Sequence, residues 1–562
     1  MHNRTAAFMA LLTLAVVSSL VAFIPTSRVQ RSVEIPSPRR GVVAVSPADM
    51  VFKRLNATHQ RMIERLTSAG SPSVSGVATC FTPGTDDEVI AAFNAALAAR
   101  DGERFNQTGR WAGTALSPAG GQGDPVILTY SFVPDGTAVP DGVGEGAGVS
   151  NLVAYLNGIY GSPAVWQPLY AQIFSRWSEL SGITYVYEPN DDGAPMFDNP
   201  GVAGVRGDLR MAGKFIDGNS GVLAYNFFPQ SGDMVIDTGD NFYFDLSNSS
   251  RRLRNVLAHE HGHGMGQLHV CPITQTKLME PTVATGYDGP RHDDIRNAQR
   301  HYGDPFEPDD SPAAATDLGT LSEGAPLILG PTPLPDIPNG SLLSIDANAE
   351  QDYFRFDIAA AQRISVTVTP IGLNYDDADQ ACTGQQASCC SGAFTNSLLI
   401  ADLAIQVLDS DGSTVLATAA AGALGQAESI IEALLPDAGV YYIRVYETNV
   451  PSQSQLYHLS IQILDSFLGP RFTLPSGAPD IIPAGVPTVF NVDLAPNDDT
   501  IVGTPSLFYR FGAGAYIAAP LTPVAGTLYT ATIPAPLCTS TPQFYLASEG
   551  ASAGPVTLPT AG

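Results

Sequence analysis

The chain of 562 residues is poor in basic residues and above all in lysine. Only Lys53, Lys214 and Lys277 are lysines, and 28 Lys and Arg residues face 55 Asp and Glu, which gives a formal net charge of -27. Nucleic acids and anionic membrane surfaces attract basic patches, so this charge balance argues against either one as the main partner. Six cysteines in so long a chain are also too few for a disulfide-stapled mini-protein.

Charged residues are scarce as well, at 15% of the chain, whereas hydrophobic residues make up 44%. Such a composition can bury real cores and is not that of a disordered polymer. At the usual ~150 residues per domain, the length makes room for three or four domains. The 54 glycines and 44 prolines indicate many turns and β-rich modules rather than helical bundles.

A stretch without any charge lies at the N-terminus, from Ala6 to Ile24, and Pro25 closes it. This run is long for the core of a signal peptide and just long enough to span a bilayer. We therefore expect residues 1–30 to be a cleaved signal peptide, with an uncleaved membrane anchor as the alternative. Both outcomes predict export, either as a secreted or extracellular protein or as one anchored at the cell surface.

Hydrophobic spacing divides the rest of the chain into a mixed α and β part followed by a β-rich part. Helices are predicted near residues 48–66, 86–100, 165–180 and 253–264, and strands near 126–133 and 221–228. An acidic linker rich in Pro and Ala follows at 307–315. Beyond it, regularly spaced short strands predict a β-sandwich over 306–466 and a second all-β module over 467–562.

Four of the nine histidines fall in the run HEHGHGMGQLH, residues 259–269. On a helix, His259 and His263 lie on one face, where two imidazoles can chelate a single zinc ion. His261 lies about 200° around the helix from His259 and should point away from the metal. Gly266 lets the chain leave the helix. His269 can then return as a third ligand, with the fourth position open for water.

Glu260 directly follows the first of these histidines. It is close enough to act on a water as general base without being a metal ligand itself. The extended pattern HExxHxxGxxH is much more specific than HExxH alone, because its glycine stands where the helix must end. Two alternatives remain, a His-rich surface helix and a structural zinc site whose fourth position is closed by Cys271.

With its neighbouring segments, this run resembles the metzincin metallopeptidases, and among them the matrixin-like branch. Met279 in KLMEP is similar to the methionine of the Met-turn that underlies the zinc ligands. Over about residues 109–304 the similar segments are LTYSF, RWSELSGITY, GVLAYNFFP and DDIRNAQRHYG. The resemblance implies a zinc metallopeptidase domain over 109–305, α+β in class, with a twisted, mostly parallel sheet, an antiparallel edge strand and an active-site helix.

The same resemblance implies one catalytic zinc, protein or peptide substrates, and an edge strand at 221–228 along which an extended peptide pairs. Residues 281–290 would wall the pocket on the leaving-group side. The family often binds calcium where this chain has acidic residues, acidic surface turns being the alternative. These residues are Asp217, Asp233, Asp237 and Asp240.

Residues 31–108 are expected to form a pro-like helical segment of a zymogen. The latency motif of the family, a cysteine in a PRCGxPD-like stretch, is absent. Cys80 lies in the corresponding part of the chain but in the context ATCFTPGTD. Three roles stay open for this residue: a block on the zinc, a disulfide, and a buried thiol.

The β-rich part resembles the bacterial pre-peptidase C-terminal domain through EPDDSPAAAT, QDYFRFDI and GVYYIRVYE. The last module is similar to Ig or fibronectin modules by strand pattern. One local disulfide is expected among Cys382, Cys389 and Cys390. The sequence thus predicts a secreted zinc-dependent endopeptidase. The alternative is a surface binding or adhesion protein with a vestigial peptidase domain, whose C-terminal modules hold a cell-surface or polymer ligand.

Overall fold

The structure is a computed structural model that describes residues 55–67, 76–98, 107–118, 120–332, 337, 339–346, 350–379, 394–449, 453–466 and 469–559. The signal or anchor predicted at 1–30 and the disulfide predicted within 382–390 lie outside the described residues. Among the helices that are described, none is both long enough and apolar enough to cross a bilayer.

A six-stranded sheet organises the first half of the chain, in the order β1-β7-β8-β6-β2-β5. Strands β2, β5, β6 and β8 run parallel where they pair, β7 is antiparallel to β8, and β1 is antiparallel to β7. A short hairpin, β3 with β4, lies beside it. The bounds are β1 (Val77–Phe81), β2 (Val126–Phe132), β3 (Ala138–Val139), β4 (Gly148–Val149), β5 (Ile183–Tyr187), β6 (Leu209–Lys214), β7 (Val222–Phe227) and β8 (Met234–Asp237).

Helices cover both faces of this sheet, because alternate residues of each strand point to opposite sides. On β8, for example, Met234 and Ile236 belong to one buried cluster, and Val235 between them belongs to another. The four helices of the predicted catalytic domain pack in the first cluster, and two helices of the pro-like segment pack in the second. The helices are α1 (Ala57–Thr67), α2 (Asp87–Ala98), α3 (Leu152–Tyr160), α4 (Pro163–Ser178), α5 (Ser247–Gly264) and α6 (His292–Tyr302).

Two of these helices differ from the sequence-based expectation. Helix α3 was not predicted, because it is short and carries Gly158, a poor helix former, near its end. Helix α5 begins at Ser247 rather than near 253, and its first turn is left-handed, with φ between 51° and 60° at Asn248, Ser249 and Ser250. The right-handed part that carries the histidines therefore follows that turn.

The first β-rich module is a sandwich of two five-stranded sheets, ordered β10-β13-β21-β18-β19 and β11-β22-β14-β20 with β12 on β22. Its core is one cluster of buried Leu, Ile, Val, Phe and Tyr side chains. After the two-residue strand β9 (Val270–Cys271), the strands are β10 (Thr316–Thr320), β11 (Leu327–Leu329), β12 (Leu343–Ile345), β13 (Gln351–Ile358), β14 (Gln362–Ile371), β15 (Asn374–Asp376), β16 (Ala378–Asp379), β17 (Phe394–Asn396), β18 (Leu403–Leu408), β19 (Val415–Ala419), β20 (Glu428–Leu435), β21 (Gly439–Glu447) and β22 (Gln455–Asp465).

This sandwich is docked directly on the metallopeptidase-like part. Strand β16 pairs antiparallel with β9, two residues against two. The guanidinium of Arg296 on α6 is buried and donates to the Ser454 carbonyl at 3.0 Å and to the Gln453 side chain at 2.6 Å. His292 Nε2 lies 2.8 Å from the Ser397 hydroxyl. The contacts come from three separate stretches of the sandwich, so they fix its position against β9 and α6.

The first part of the predicted linker at 307–315 is packed, because Glu307 and Asp309 join a cluster of buried carboxyl groups. Asp304, Asp309, Asp346 and Asp352 are each at most 2% exposed. Burial raises the pKa of Asp304 to about 8 and the pKa of Asp309 to about 10, and neighbouring carboxylates add to both rises. The junction between the two parts of the chain is therefore rich in buried carboxyl groups that favour the protonated form.

The last module is a smaller sandwich of two four-stranded sheets, ordered β23-β24-β28-β27 and β26-β25-β29-β30. It has its own buried cluster, which includes Phe472, Leu494, Leu507 and Leu546. The strands are β23 (Arg471–Thr473), β24 (Thr488–Ala495), β25 (Ile501–Phe511), β26 (Ile517–Pro520), β27 (Thr522–Ala525), β28 (Leu528–Ile533), β29 (Pro542–Gly550) and β30 (Gly554–Leu558).

Candidate metal centre

Helix α5 and the turn after it bring three histidines to one point. His259 and His263 stand one helical turn apart on the buried face of α5. Gly266 follows with φ +98°, a conformation that residues with a Cβ rarely adopt, and a Cβ there would lie 2.6 Å from the Gly109 carbonyl oxygen. The chain reverses at this glycine and returns His269 to the other two histidines, as the spacing predicts.

The three Nε2 atoms form an equilateral triangle with sides of 3.1 Å. The Nδ1 atom of His259 lies 2.7 Å from the Leu278 carbonyl oxygen, and that of His263 lies 2.7 Å from the Gln267 carbonyl oxygen. A carbonyl oxygen only accepts, so each of these two rings donates from Nδ1 and turns a bare Nε2 lone pair inward. Imidazole nitrogens bound to one tetrahedral zinc at ~2.0–2.1 Å stand about 3.3 Å apart, so this donor set fits a zinc ion.

The electrostatics of the site also suit metal binding. Burial lowers the pKa of His259 to about 3, with a contribution from His269, and lowers the pKa of His263 well below its ordinary value. All three ligands are at most 6% exposed. Metal ligation needs neutral imidazole, so His259 and His263 are held in the form that binds.

His261, the fourth histidine of the run, points away from the triangle, as predicted from its angular position on the helix. Its Nε2 hydrogen-bonds the Tyr185 hydroxyl, and its ring packs edge-on against Phe174. Burial lowers the pKa of His261 to about 3. It is a core residue of the interface between α4, α5 and β5.

Met279 lies directly beneath the ligand helix. A Cβ on Gly262 would stand 2.3 Å from the Met279 sulfur, so only glycine lets the helix settle this closely on the methionine. The Met279 carbonyl accepts from the Val270 amide at 2.9 Å, which ties the turn to the residue after the third ligand. This is the position that the Met-turn resemblance implied.

Three positioning residues were not identified from the sequence. The buried carboxylate of Asp294 accepts from the amides of Leu278 and Met279 and so holds the turn under the metal site. Glu280, also buried, accepts from four amides of 274–277. Asn255 donates to the carbonyls of Ala284 and Tyr287. The sequence carries a signal for two of these residues. Asp294 is an acidic residue at the third position of α6, and Asn255 has an amide side chain one helical turn before His259.

Glu260 is fully buried beside the triangle, and burial raises the pKa of its carboxyl to about 8. Its Oε1 accepts from the Cys80 amide at 3.2 Å. Its Oε2 has no hydrogen-bond partner in the part of the chain that the structure describes, although the Cys80 thiol lies near the same carboxyl group and interacts with it. A buried carboxylate with one unengaged oxygen next to a metal site is suited to exchange protons with water.

Cys271 is disulfide-bonded, so it supplies no thiolate to a fourth metal position. The alternative of a structural site closed by this cysteine is therefore wrong. Cys80, by contrast, is a free and fully buried thiol, whose sulfur lies within 4.8 Å of the ligand atoms of His259 and Glu260. Burial raises the pKa of the Cys80 thiol well above its ordinary value, and the Glu260 carboxylate raises it further.

The four aspartates considered for calcium are occupied mainly by backbone amides. Asp237 accepts from the amides of Ile216, Asp217, Gly218 and Gly239. Asp233 and Asp240 each accept from two amides, and Asp217 pairs with the Val222 amide and with His59 of α1. Among the described residues, none of the four joins a cluster of metal-ligand atoms.

The fold and this donor set define a zinc metallopeptidase domain. Residues 169–303 match the family model Matrixin, and residues 350–447 match the family model Bacterial pre-peptidase C-terminal domain. No curated protein matches the chain. The chain therefore carries a matrixin metallopeptidase domain and a pre-peptidase C-terminal domain, and both resemblances drawn from the sequence are confirmed. A peptidase domain implies protein or peptide substrates.

Proposed function

We propose that the protein is an exported zinc-dependent endopeptidase of the metzincin type, made as a zymogen. The observation that carries this proposal is the triangle of His259, His263 and His269 Nε2 atoms beside the buried Glu260 carboxylate. A vestigial peptidase domain would be free to lose one of these four side chains. All four are present, which supports an enzyme over a purely adhesive protein.

A zinc ion in this triangle would supply Lewis-acid chemistry, polarising a peptide carbonyl and lowering the pKa of water toward ~7. The side chains of the protein provide the rest. Glu260 takes a proton from the attacking water at its free Oε2 and then delivers it to the departing amine nitrogen. Burial of the site excludes bulk water and strengthens these interactions.

The substrate cleft is the groove between β7 and residues 281–283. Both sides offer main-chain groups to an extended peptide, the recognition mode in which a strand is added to a sheet edge. In this structure β1 of the pro-like segment fills the groove and is paired to β7 along its whole length. Occupation of the cleft by the chain itself supports synthesis as a zymogen.

The proposal is tested with Glu260→Ala in the full-length chain, assayed before and after limited proteolysis of the pro-like segment. The variant should bind one zinc ion per chain, as the parent does, and should fail to hydrolyse casein. The parent should hydrolyse casein and lose this activity when a zinc chelator is added. Wild-type turnover by Glu260→Ala, or hydrolysis that the chelator leaves unchanged, would show that the proposal is wrong.

A further inference from the structure

Strand β1 occupies the proposed cleft in a defined direction and register. It pairs antiparallel with β7, with Thr79 opposite Tyr225 and Cys80 opposite Ala224. Between Cys80 and Phe81 the register shifts, so that Phe81 lies opposite Val222 and Leu223 is passed over. All five residues of β1 are buried, and Thr79, Cys80 and Phe81 have no exposed surface. The pro-like segment is thus seated at the bottom of the groove.

After the register shift, the other edge of β1 also forms backbone hydrogen bonds. The Phe81 amide donates to the Pro281 carbonyl at 3.1 Å, and the Val283 amide donates to the Phe81 carbonyl at 3.1 Å. This pairing is parallel, through the bridge between Phe81 and Thr282. The residues after Cys80 therefore lie against 281–283, the segment expected to wall the leaving-group side of the cleft.

The catalytic carboxylate identifies the peptide bond that is presented. A group that protonates a departing amine must lie within hydrogen-bonding distance of that nitrogen. Glu260 Oε1 is 3.2 Å from the Cys80 amide nitrogen. Since Oε2 has no partner among the described residues, the same carboxylate keeps an oxygen for the proton of water. The peptide bond that contains this nitrogen is Thr79–Cys80.

We infer that Thr79–Cys80 is a self-processing site, which the peptidase domain hydrolyses in its own chain. The inference rests on the proposed function and adds a particular bond to it. Water adds to the Thr79 carbonyl carbon while Glu260 accepts its proton. The bond from the Thr79 carbonyl carbon to the Cys80 nitrogen then breaks, and Glu260 returns the proton to that nitrogen. The products are a chain ending in the Thr79 carboxylate and a chain beginning with the Cys80 amine.

The segments on both sides of β1 hold it in place for this reaction. His59 of α1 hydrogen-bonds Asp217 at 2.9 Å, and Phe81 packs on Phe93 of α2 with ring centroids 5.9 Å apart. Helices α1 and α2 share one buried cluster with β7. Because the bond is held in the cleft of its own chain, the reaction is intramolecular, and its rate should not depend on protein concentration.

The experiment incubates the full-length zinc-loaded chain and identifies new termini by mass spectrometry and N-terminal sequencing. We expect one new N-terminus at Cys80 and one new C-terminus at Thr79, formed at the same rate over a hundredfold range of protein concentration. Glu260→Gln should show neither terminus. Cys80→Ser, which keeps the backbone N–H, should be cut at the same bond, and Cys80→Pro, which lacks it, should not.

A second readout is independent of turnover and uses the uncut Glu260→Gln chain. Cys80 and Cys538 are both free thiols, the first buried and the second exposed. Iodoacetamide should alkylate Cys80 more slowly than Cys538 by roughly tenfold or more, because β1 is seated in the cleft. Equal alkylation rates would overturn the inference.

Casein hydrolysis by the same preparation distinguishes failure of the self-processing site from failure of the proposed peptidase function. If casein is digested and the chelator stops it, but new termini appear only at other bonds, the self-processing site is wrong and the peptidase function stands. If neither casein nor Thr79–Cys80 is cut, the proposed function and the inference fail together. A cut at Thr79–Cys80 that persists in Glu260→Gln would point to a contaminating protease and would refute the inference.

Discussion

Replacing Gly266 by alanine tests how the third zinc ligand is brought into place. The substitution has two costs that the structure separates. The first is the backbone conformation, φ +98°, which costs a residue with a Cβ about 1–2 kcal/mol. The second is a clash, because the new Cβ would lie 2.6 Å from the Gly109 carbonyl oxygen, a backbone atom that must move. Forced displacement of a packed backbone adds about 1–3 kcal/mol.

Gly136 provides a matched control. Its φ is +94°, almost that of Gly266, and a Cβ there would meet no atom within 4 Å. Gly136→Ala should therefore lower the free energy of unfolding only by the backbone cost of about 1–2 kcal/mol. It should keep its zinc affinity, because the ligand turn is untouched. In Gly266→Ala the shifted turn moves His269 out of the triangle, and zinc affinity should fall at least about tenfold, equivalent to about 1.4 kcal/mol.

Tryptophan fluorescence during urea unfolding is the appropriate stability assay. The three tryptophans of the chain, Trp111, Trp166 and Trp177, are all buried in the core cluster of the metallopeptidase domain. The signal thus reports this domain without contributions from the β-modules. Zinc affinity is measured by competition with a coloured chelator. Equal losses of stability and equal zinc affinities in the two variants would refute the role given to the turn at Gly266.

His261→Phe should keep one zinc per chain by atomic absorption, since its ring faces Tyr185 and Phe174, whereas His263→Phe should lose the metal. Arg296→Ala leaves the Ser454 carbonyl and Gln453 without their buried donor, so it should cost about 2–4 kcal/mol and speed limited proteolysis at the junction near 304–316, with the more exposed Arg355→Ala as control. The folded-state pKa values of Asp304 (about 8) and Asp309 (about 10) lie above the unfolded value near ~3.9. Both groups therefore stabilise the folded chain most at low pH, and that contribution is lost as pH rises toward those values. In the presence of a chelator, the unfolding temperature measured by calorimetry should fall between roughly pH 7 and 9, above the range in which the buried histidines affect stability, and Asp309→Asn should flatten this fall.

The three candidate metal ligands could be predicted from the sequence because their geometry is local. Two histidines four residues apart on a helix, and a glycine that ends the helix, fix the His259–His263–His269 triangle within eleven residues. In the mixed sheet, β2 and β7 were likewise predicted from their apolar runs, and regularly spaced short strands predicted the two β-rich modules.

Contacts between distant parts of the chain were not predictable in this way. The carboxylate of Asp294 reaches back to Met279, and the Cys80 amide meets Glu260, 180 residues further along the chain. The segment VATCF carries no signal for pairing with β7, because short apolar strands do not encode their partner. The packing of the linker was not predicted because acidic residues ordinarily stay in water, whereas here they are buried together.

The two-residue pairing of β16 with β9 couples the peptidase domain to the sandwich that follows it. Val270 immediately follows the third metal ligand, and its strand partner belongs to the other module. Severing the chain near residue 310 would not by itself release the sandwich, because these backbone bonds and the contacts on α6 would persist. Any processing step that removes the sandwich also removes β16 from the loop that carries His269. Peptidase activity and retention of the C-terminal modules should therefore vary together.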